Sequence, residues 1–295
     1  MIPPYIRKTL PILFLFVCIA SCTERIEIST DDAPTRLVIY GYLTTDTMQH
    51  DIRITRSAGY FHTESPEGIS NATVTISTDD EFIRLRENDT VPGLYQTAPN
   101  VFGRSGKTYT LDVHLDFDND GIPEHYRSST YLTHINQIDS IALQKSIVFK
   151  KMVELLIYAQ DLPEDNYYSI FVSINDSILN PTINKFFVLD DEYFNGAYMD
   201  GIACYYFDQE EEEEKLELGD KVTLNINAIP KEYATFISQV KRELRGTNPI
   251  FSGPPANVET NILCIDPPDG IEVSGFFSAY PSRYADTILQ DDFQF

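Results

Sequence analysis

Hydrophobic and polar residues alternate with a period of two along much of the chain. Leu37, Ile39, Gly41 and Leu43 interleave with Val38, Tyr40 and Tyr42, and Ile52 and Ile54 with Arg53 and Thr55. Ala72, Val74 and Ile76 alternate with Thr73, Thr75 and Ser77, and Tyr109, Leu111, Val113 and Leu115 repeat the spacing. Successive strand side chains point to opposite faces, so the pattern predicts short strands with one buried face each. Turn residues separate the runs, Pro92-Gly93 and Arg104-Ser105-Gly106 among them. Short alternating runs between turns are the mark of an antiparallel sandwich.

The order of these runs resembles immunoglobulin-like or transthyretin-like modules, which implies an N-terminal β-sandwich over residues 36–133. A second β-rich domain is expected over 134–295, with strands at Met152 to Ala159, Tyr167 to Ile174, Lys185 to Leu189, Lys221 to Asn227 and Gly270 to Tyr280. One helix breaks the β pattern, near residues 231–245. Pro230 stands at its start, Tyr233, Phe236, Ile237, Val240 and Leu244 recur at three- and four-residue steps, and Gly246 follows. Lys241, Arg242 and Arg245 suit the negative end of the helix dipole. The stripe predicts a helix covering a sheet face or edge. The fold class is therefore mainly β, two β-rich domains with one covering helix.

The N-terminus follows other rules. Arg7 and Lys8 precede an apolar run from Leu10 to Ala20, and Ile19-Ala20-Ser21-Cys22 closes it. Charge, a short apolar segment and small residues at a cleavage point make an export signal over residues 1–21. The run is about half the ~20 residues a membrane-spanning helix needs. A cysteine directly after the small pair resembles a bacterial lipobox, in which Cys22 takes the lipid and becomes the mature N-terminus. Residues 22–35 carry Glu24, Glu27, Asp31, Asp32 and Pro34 and little apolar content, as an acidic tether does. Acidic residues close behind the cysteine also resemble the export signal of Bacteroidota surface lipoproteins, which implies an outer-membrane location, lipid-anchored and facing the cell exterior.

Composition narrows the partners. The 295-residue chain is 42% hydrophobic, enough for packed cores. Its net charge is −23, and removing Arg7 and Lys8 with the signal takes it to −25. Such a chain repels phosphate backbones, so nucleic acid is excluded as a partner. With Cys18 in the signal and Cys22 lipidated, Cys204 and Cys264 are left as candidates for a disulfide. It would close a loop of about 60 residues and contribute ~4 kcal/mol. The alternative is two unpaired thiols.

The sharpest local motif is Asp116-Phe117-Asp118-Asn119-Asp120-Gly121-Ile122-Pro123-Glu124. Alternate aspartates bring hard oxygen ligands to one side of a loop that Gly121 lets bend, so Asp116, Asp118, Asp120 and Glu124 are candidate ligands for a structural calcium. The EF-hand version fails, because the bidentate Glu position holds Arg127. The competing reading is an acidic hairpin loop. No other cofactor is indicated. Gly106-Lys107-Thr108 lacks the leading glycine and following helix of a phosphate loop, and Ser238-Gln239-Val240-Lys241 lacks its companion motifs. His50, His62, His114, His125 and His134 have no metal-ligand spacing and read as surface residues. Glu210 to Glu214 reads as an exposed loop of like charges. No catalytic residue is indicated, and an enzyme is not expected.

A longer resemblance covers residues 22 to 285. Leu37-Val38-Ile39-Tyr40-Gly41-Tyr42-Leu43, Ile54 to Phe61, Ile69 to Ile76, Gly93-Leu94-Tyr95, Gly106 to Leu111, Asp190 to Gly196, Asn248 to Pro255 and Gly275 to Tyr280 stand in an order that resembles a Bacteroidota lipoprotein family, "domain of unknown function 4249". The resemblance implies an outer-membrane lipoprotein, a binding or accessory component associated with a TonB-dependent transporter barrel. The alternative is a surface adhesin or a structural lipoprotein of envelope assembly. It assigns no catalytic residue.

Overall fold

Strand alternation becomes two face-to-face packings of sheets. The computed structural model describes residues 36–57, 66–244, 258–267, 272–290 and 293. The expected signal, the expected lipidation site Cys22 and the expected tether lie outside the described residues, as do His62 and Gly246. All described residues belong to one compact unit.

The first eight strands are β1 (Leu37–Thr44), β2 (Asp51–Arg56), β3 (Thr73–Ser77), β4 (Phe82–Arg84), β5 (Arg86–Glu87), β6 (Leu94–Gln96), β7 (Lys107–Leu115) and β8 (Glu124–Leu132). Then come β9 (Ile138–Lys145), β10 (Met152–Gln160), β11 (Tyr167–Ile174), β12 (Ser177–Ile178), β13 (Phe187–Asp190), β14 (Tyr198–Asp208) and β15 (Lys221–Ile229). Helix α1 (Lys231–Leu244) precedes β16 (Leu263–Asp266), β17 (Val273–Tyr280) and β18 (Ser282–Ile288).

The first sandwich packs a β17-β1-β2-β6-β5 sheet on a β16-β8-β7-β3-β4 sheet. Leu37, Ile39, Leu43, Ile52, Ile54, Val74, Ile76, Tyr109, Leu111 and Val113 fill its core, the inward residues of the alternation. At about 1.5–3 kcal/mol for each large apolar side chain buried, this face outweighs any local preference. Gly41 and Gly93 allow the close approaches: a Cβ at Gly41 would sit 2.5 Å from the Asp51 carbonyl oxygen, and one at Gly93 2.3 Å from that of Ile54. Gly93 also has φ +74°, which favours glycine.

The division expected at residue 133 takes a different form. β17 pairs parallel with β1, Leu37 opposite Val273 through Thr44 opposite Tyr280, and β16 pairs antiparallel with β8. The C-terminal part thus supplies two outer strands of the first sandwich, because they cover edges that β1 and β8 would otherwise expose.

The second sandwich packs a β14-β10-β9 sheet on a β12-β11-β15-β18 sheet, with β13 also paired to β11. Val153, Leu155, Ile157, Ile170, Val172, Phe207, Val222 and Leu224 are among its core residues. Only Pro281 separates β17 of one sandwich from β18 of the other. Here Ser282 N–H donates to Thr45 Oγ1 at 3.0 Å and the Tyr284 hydroxyl to Asp46 at 2.6 Å.

The helix covers this junction. Tyr233, Ala234, Phe236 and Ile237 of α1 are buried with Phe276 and Tyr280 of β17, and Tyr40 of β1 packs against them. Its first turn is fixed by Tyr233 and Ala234 N–H donating to the Pro230 carbonyl, both at 3.0 Å. Leu244, expected on the buried stripe, is exposed, since the stripe's contacts end a turn earlier. Among the described residues no helix is long and apolar enough to cross a membrane.

Candidate binding cleft and acidic hairpin

The acidic motif forms the turn between β7 and β8. Asp116, Asp118 and Asp120 place carboxylate oxygens within 4.8 Å of one another, with Asp118 and Asp120 exposed. Asn119 (φ +62°) and Gly121 (φ +88°) turn the backbone. The carboxylates already accept backbone N–H groups: Asp120 to Asp116 and to Asp118 at 3.1 Å each, Gly121 to Asp116 at 3.0 Å and Ile122 to Asp120 at 2.7 Å. Glu124 does not join the other three. As the first residue of β8 it is buried, and its carboxylate accepts the Phe117 N–H at 2.8 Å. Three of the four expected calcium ligands therefore converge, and the fourth fastens the hairpin.

A cleft of about 500 Å³ lies at the start of α1, between β8 and the beginning of β11. Tyr131 and Tyr167 supply aromatic surface, and Asp165, Lys231, Glu232 and Thr133 a mixed-charge lining. The Lys231 ammonium lies 6.0 Å from the Tyr167 ring centre, a weak cation–π contact at the edge of the useful range. Other lining groups hold the fold. Asn261 grips β17, donating to the Phe277 carbonyl at 2.7 Å and accepting its N–H at 3.0 Å. Asn166 N–H donates to Asp191 at 2.8 Å. The cleft offers ring faces to an apolar surface, and a cation and carboxylates to polar groups.

The described histidines stand in three different settings. His50, expected at the surface, is buried, with Nε2 3.2 Å from Thr44 Oγ1 and Nδ1 unpartnered. Burial lowers its pKa. His114 and His125 face each other across β7 and β8, with ring centres 4.1 Å apart. His125 Nε2 lies 2.6 Å from Asp112, which also accepts from Arg127 at 2.7 Å. Burial and the His125 charge lower the pKa of His114. His134 is exposed.

The expected disulfide is not formed. Cys204 lies in β14 among the second sandwich's core, its thiol 3.3 Å from the Leu155 carbonyl oxygen, while Cys264 lies in β16 of the first. Burial pushes the Cys204 thiol up to about 12, so it is a core side chain rather than a nucleophile. The glutamate run is an exposed turn, as its charge requires, except that Glu214 folds back to accept from Asp208 N–H at 3.0 Å and the Tyr205 hydroxyl at 3.1 Å. Gly106 is a turn residue directly ahead of strand β7 rather than of a helix, so no phosphate loop forms.

The structure gives buried polar roles that the sequence did not assign. Asp161 accepts the Tyr168 hydroxyl at 2.6 Å and Gly196 N–H at 2.9 Å, and burial raises its pKa. Asp191 holds Asn166, and Phe194 stacks on Tyr168 with ring centres 6.4 Å apart. Together they fix the loop from Asp190 to Gly196. Tyr95 donates to the Ile69 carbonyl and accepts Ala72 N–H, both at 2.9 Å, and Tyr109 accepts Arg104 N–H at 2.7 Å. These positions build turns and cores.

A family model described as "Domain of unknown function (DUF4249)" matches residues 23–284. No curated protein matches the chain significantly.

Proposed function

We propose, for a chain that belongs to the domain of unknown function (DUF4249) family, an outer-membrane lipoprotein of a Bacteroidota envelope that binds or presents material beside a TonB-dependent transporter, without catalysis. The observation that carries this reading is the start of the family match at residue 23, immediately after Cys22. A lipid on Cys22 would stand directly ahead of the family domain, and the apolar segment before it fits a removed export signal. Multiple acyl chains make such an anchor durable.

Two further observations support a binding role. In the segments whose order resembles the family, Gly41, Gly93, Tyr95, Tyr109 and Asp191 serve close backbone approaches and buried hydrogen bonds. The cleft at the start of α1 offers ring faces and mixed charge. Confinement to the membrane plane raises the effective concentration of such a protein near an integral partner.

Two measurements on the intact lipoprotein test the proposal. Cys22→Ala should abolish acylation and release the protein from the outer-membrane fraction. Solubilisation in mild detergent should bring down a large β-barrel, and deletion of the gene should impair uptake of that barrel's substrate. Retention of the Cys22→Ala protein would overturn the anchor, and co-purification with surface polymer alone, with uptake unchanged, would favour an adhesin.

A further inference from the structure

Three consecutive apolar side chains stand in solvent at the turn between β9 and β10: Ile147 is 94% exposed, Val148 71% and Phe149 51%. The turn is held from below. Glu154 of β10 is buried, and its carboxylate accepts the Ser146 hydroxyl and the Gln144 amide, each at 2.7 Å. The Ser146 oxygen in turn accepts the N–H groups of Val148 at 3.2 Å and Phe149 at 3.0 Å. Ser146 N–H donates to the Met152 carbonyl at 2.9 Å, closing the turn. The Phe149 ring meets Tyr206 of β14 edge-on, with centres 5.3 Å apart. A buried acid thus fixes, through a serine, a projection whose side chains remain in water. Preorganised apolar surface of this kind lowers the ordering cost of contact with a second surface.

Size and charge select that surface. Three side chains on a convex tip offer on the order of a few hundred Å², short of the ~800 Å² per partner typical of a stable protein complex. A lipid surface has no such threshold, since each apolar group gains as it enters. Lys150 and Lys151 follow the tip, and a lysine beside inserted apolar groups can lay its stem along them while its ammonium meets phosphate oxygens. The neighbouring turn carries Glu210 to Glu214, and Lys151 pairs with Glu210. That run repels a net anionic surface. We propose that the Ile147–Val148–Phe149 tip inserts into zwitterionic phospholipid, a membrane contact separate from any lipid on Cys22.

The chain contains no tryptophan, so Phe149→Trp in the full lipidated protein reports on the tip alone. With phosphatidylcholine–phosphatidylethanolamine vesicles its emission should shift to the blue and be quenched by brominated acyl chains. A Phe82→Trp reporter, exposed on β4 of the other sandwich, should do neither. Adding Ile147→Asp to the Phe149→Trp protein places a charge at an almost fully exposed position. It should remove most of the blue shift with the melting temperature unchanged. Emission of the Phe149→Trp reporter that stays aqueous while the lipidated protein floats with vesicles would overturn the insertion and leave the anchor standing. A shift confined to phosphatidylglycerol vesicles would overturn the choice of lipid.

Discussion

The phenolic oxygens of Tyr40 and Tyr233 share a 2.7 Å hydrogen bond across 193 positions of sequence. Tyr40 lies in β1 and Tyr233 in α1, so the bond fastens the helix to the first sandwich. Tyr233 also packs against Phe236, Phe276 and Tyr280. Burial raises both hydroxyl pKa values, keeping the pair neutral throughout the physiological range.

Replacing either tyrosine by phenylalanine orphans the hydroxyl left behind. Tyr40→Phe and Tyr233→Phe should each cost about 1–2 kcal/mol, and the double variant less than the sum. Urea denaturation of the four proteins measures the coupling. Strict additivity would mean that the bond contributes nothing beyond packing.

Much of the first sandwich was legible because its inward residues, such as Ile39, Ile54 and Val113, alternate without interruption. Helix α1 was legible from the spacing of Tyr233, Phe236, Ile237 and Val240, but that spacing could not say where burial stops, and Leu244 lies beyond it. Strand β14 was hidden because its pairing with β10 shifts register twice, which breaks the period of two. The return of β17 to β1 is a long-range choice that no local pattern records. At the acidic hairpin, alternate spacing revealed Asp116, Asp118 and Asp120. The inward turn of Glu124 depended on where β8 begins. The facing of His114 and His125 depended on strand register, and nothing in the local pattern marked Glu154 as the buried acid that holds the β9–β10 turn.

The buried His50 gives a pH dependence with a definite sign. Its folded pKa is lowered from 6.5 by burial, so at mildly acidic pH the unfolded chain binds a proton that the folded chain resists. Its influence is neutral above pH 6.5 and destabilising as pH falls below it, by up to about 1.4 kcal/mol for each unit of depression. The stability difference between wild type and His50→Gln, followed by urea denaturation from pH 7.5 to 5, should move in favour of the variant on acidification. A difference independent of pH would show that His50 titrates alike in both states.

The aspartate hairpin separates a turn from a metal site in one pair of measurements. Asp116 accepts two backbone N–H groups, from Asp120 and Gly121, and Asp116→Ala leaves both without that acceptor. In chelator the variant should lose about 1 kcal/mol, because these exposed amides can turn to water instead. Asp118 accepts only Asp120 N–H among the bonds within this turn, so Asp118→Asn keeps the acceptor and removes a charge, with little cost in chelator. Calcium bound by the three converging carboxylates would raise the wild-type melting temperature by mass action. The Asp118→Asn protein, with one anionic ligand fewer, should show a smaller rise, and calorimetry should report weaker binding. Equal melting temperatures with and without millimolar calcium in the wild type would assign these carboxylates to the turn alone.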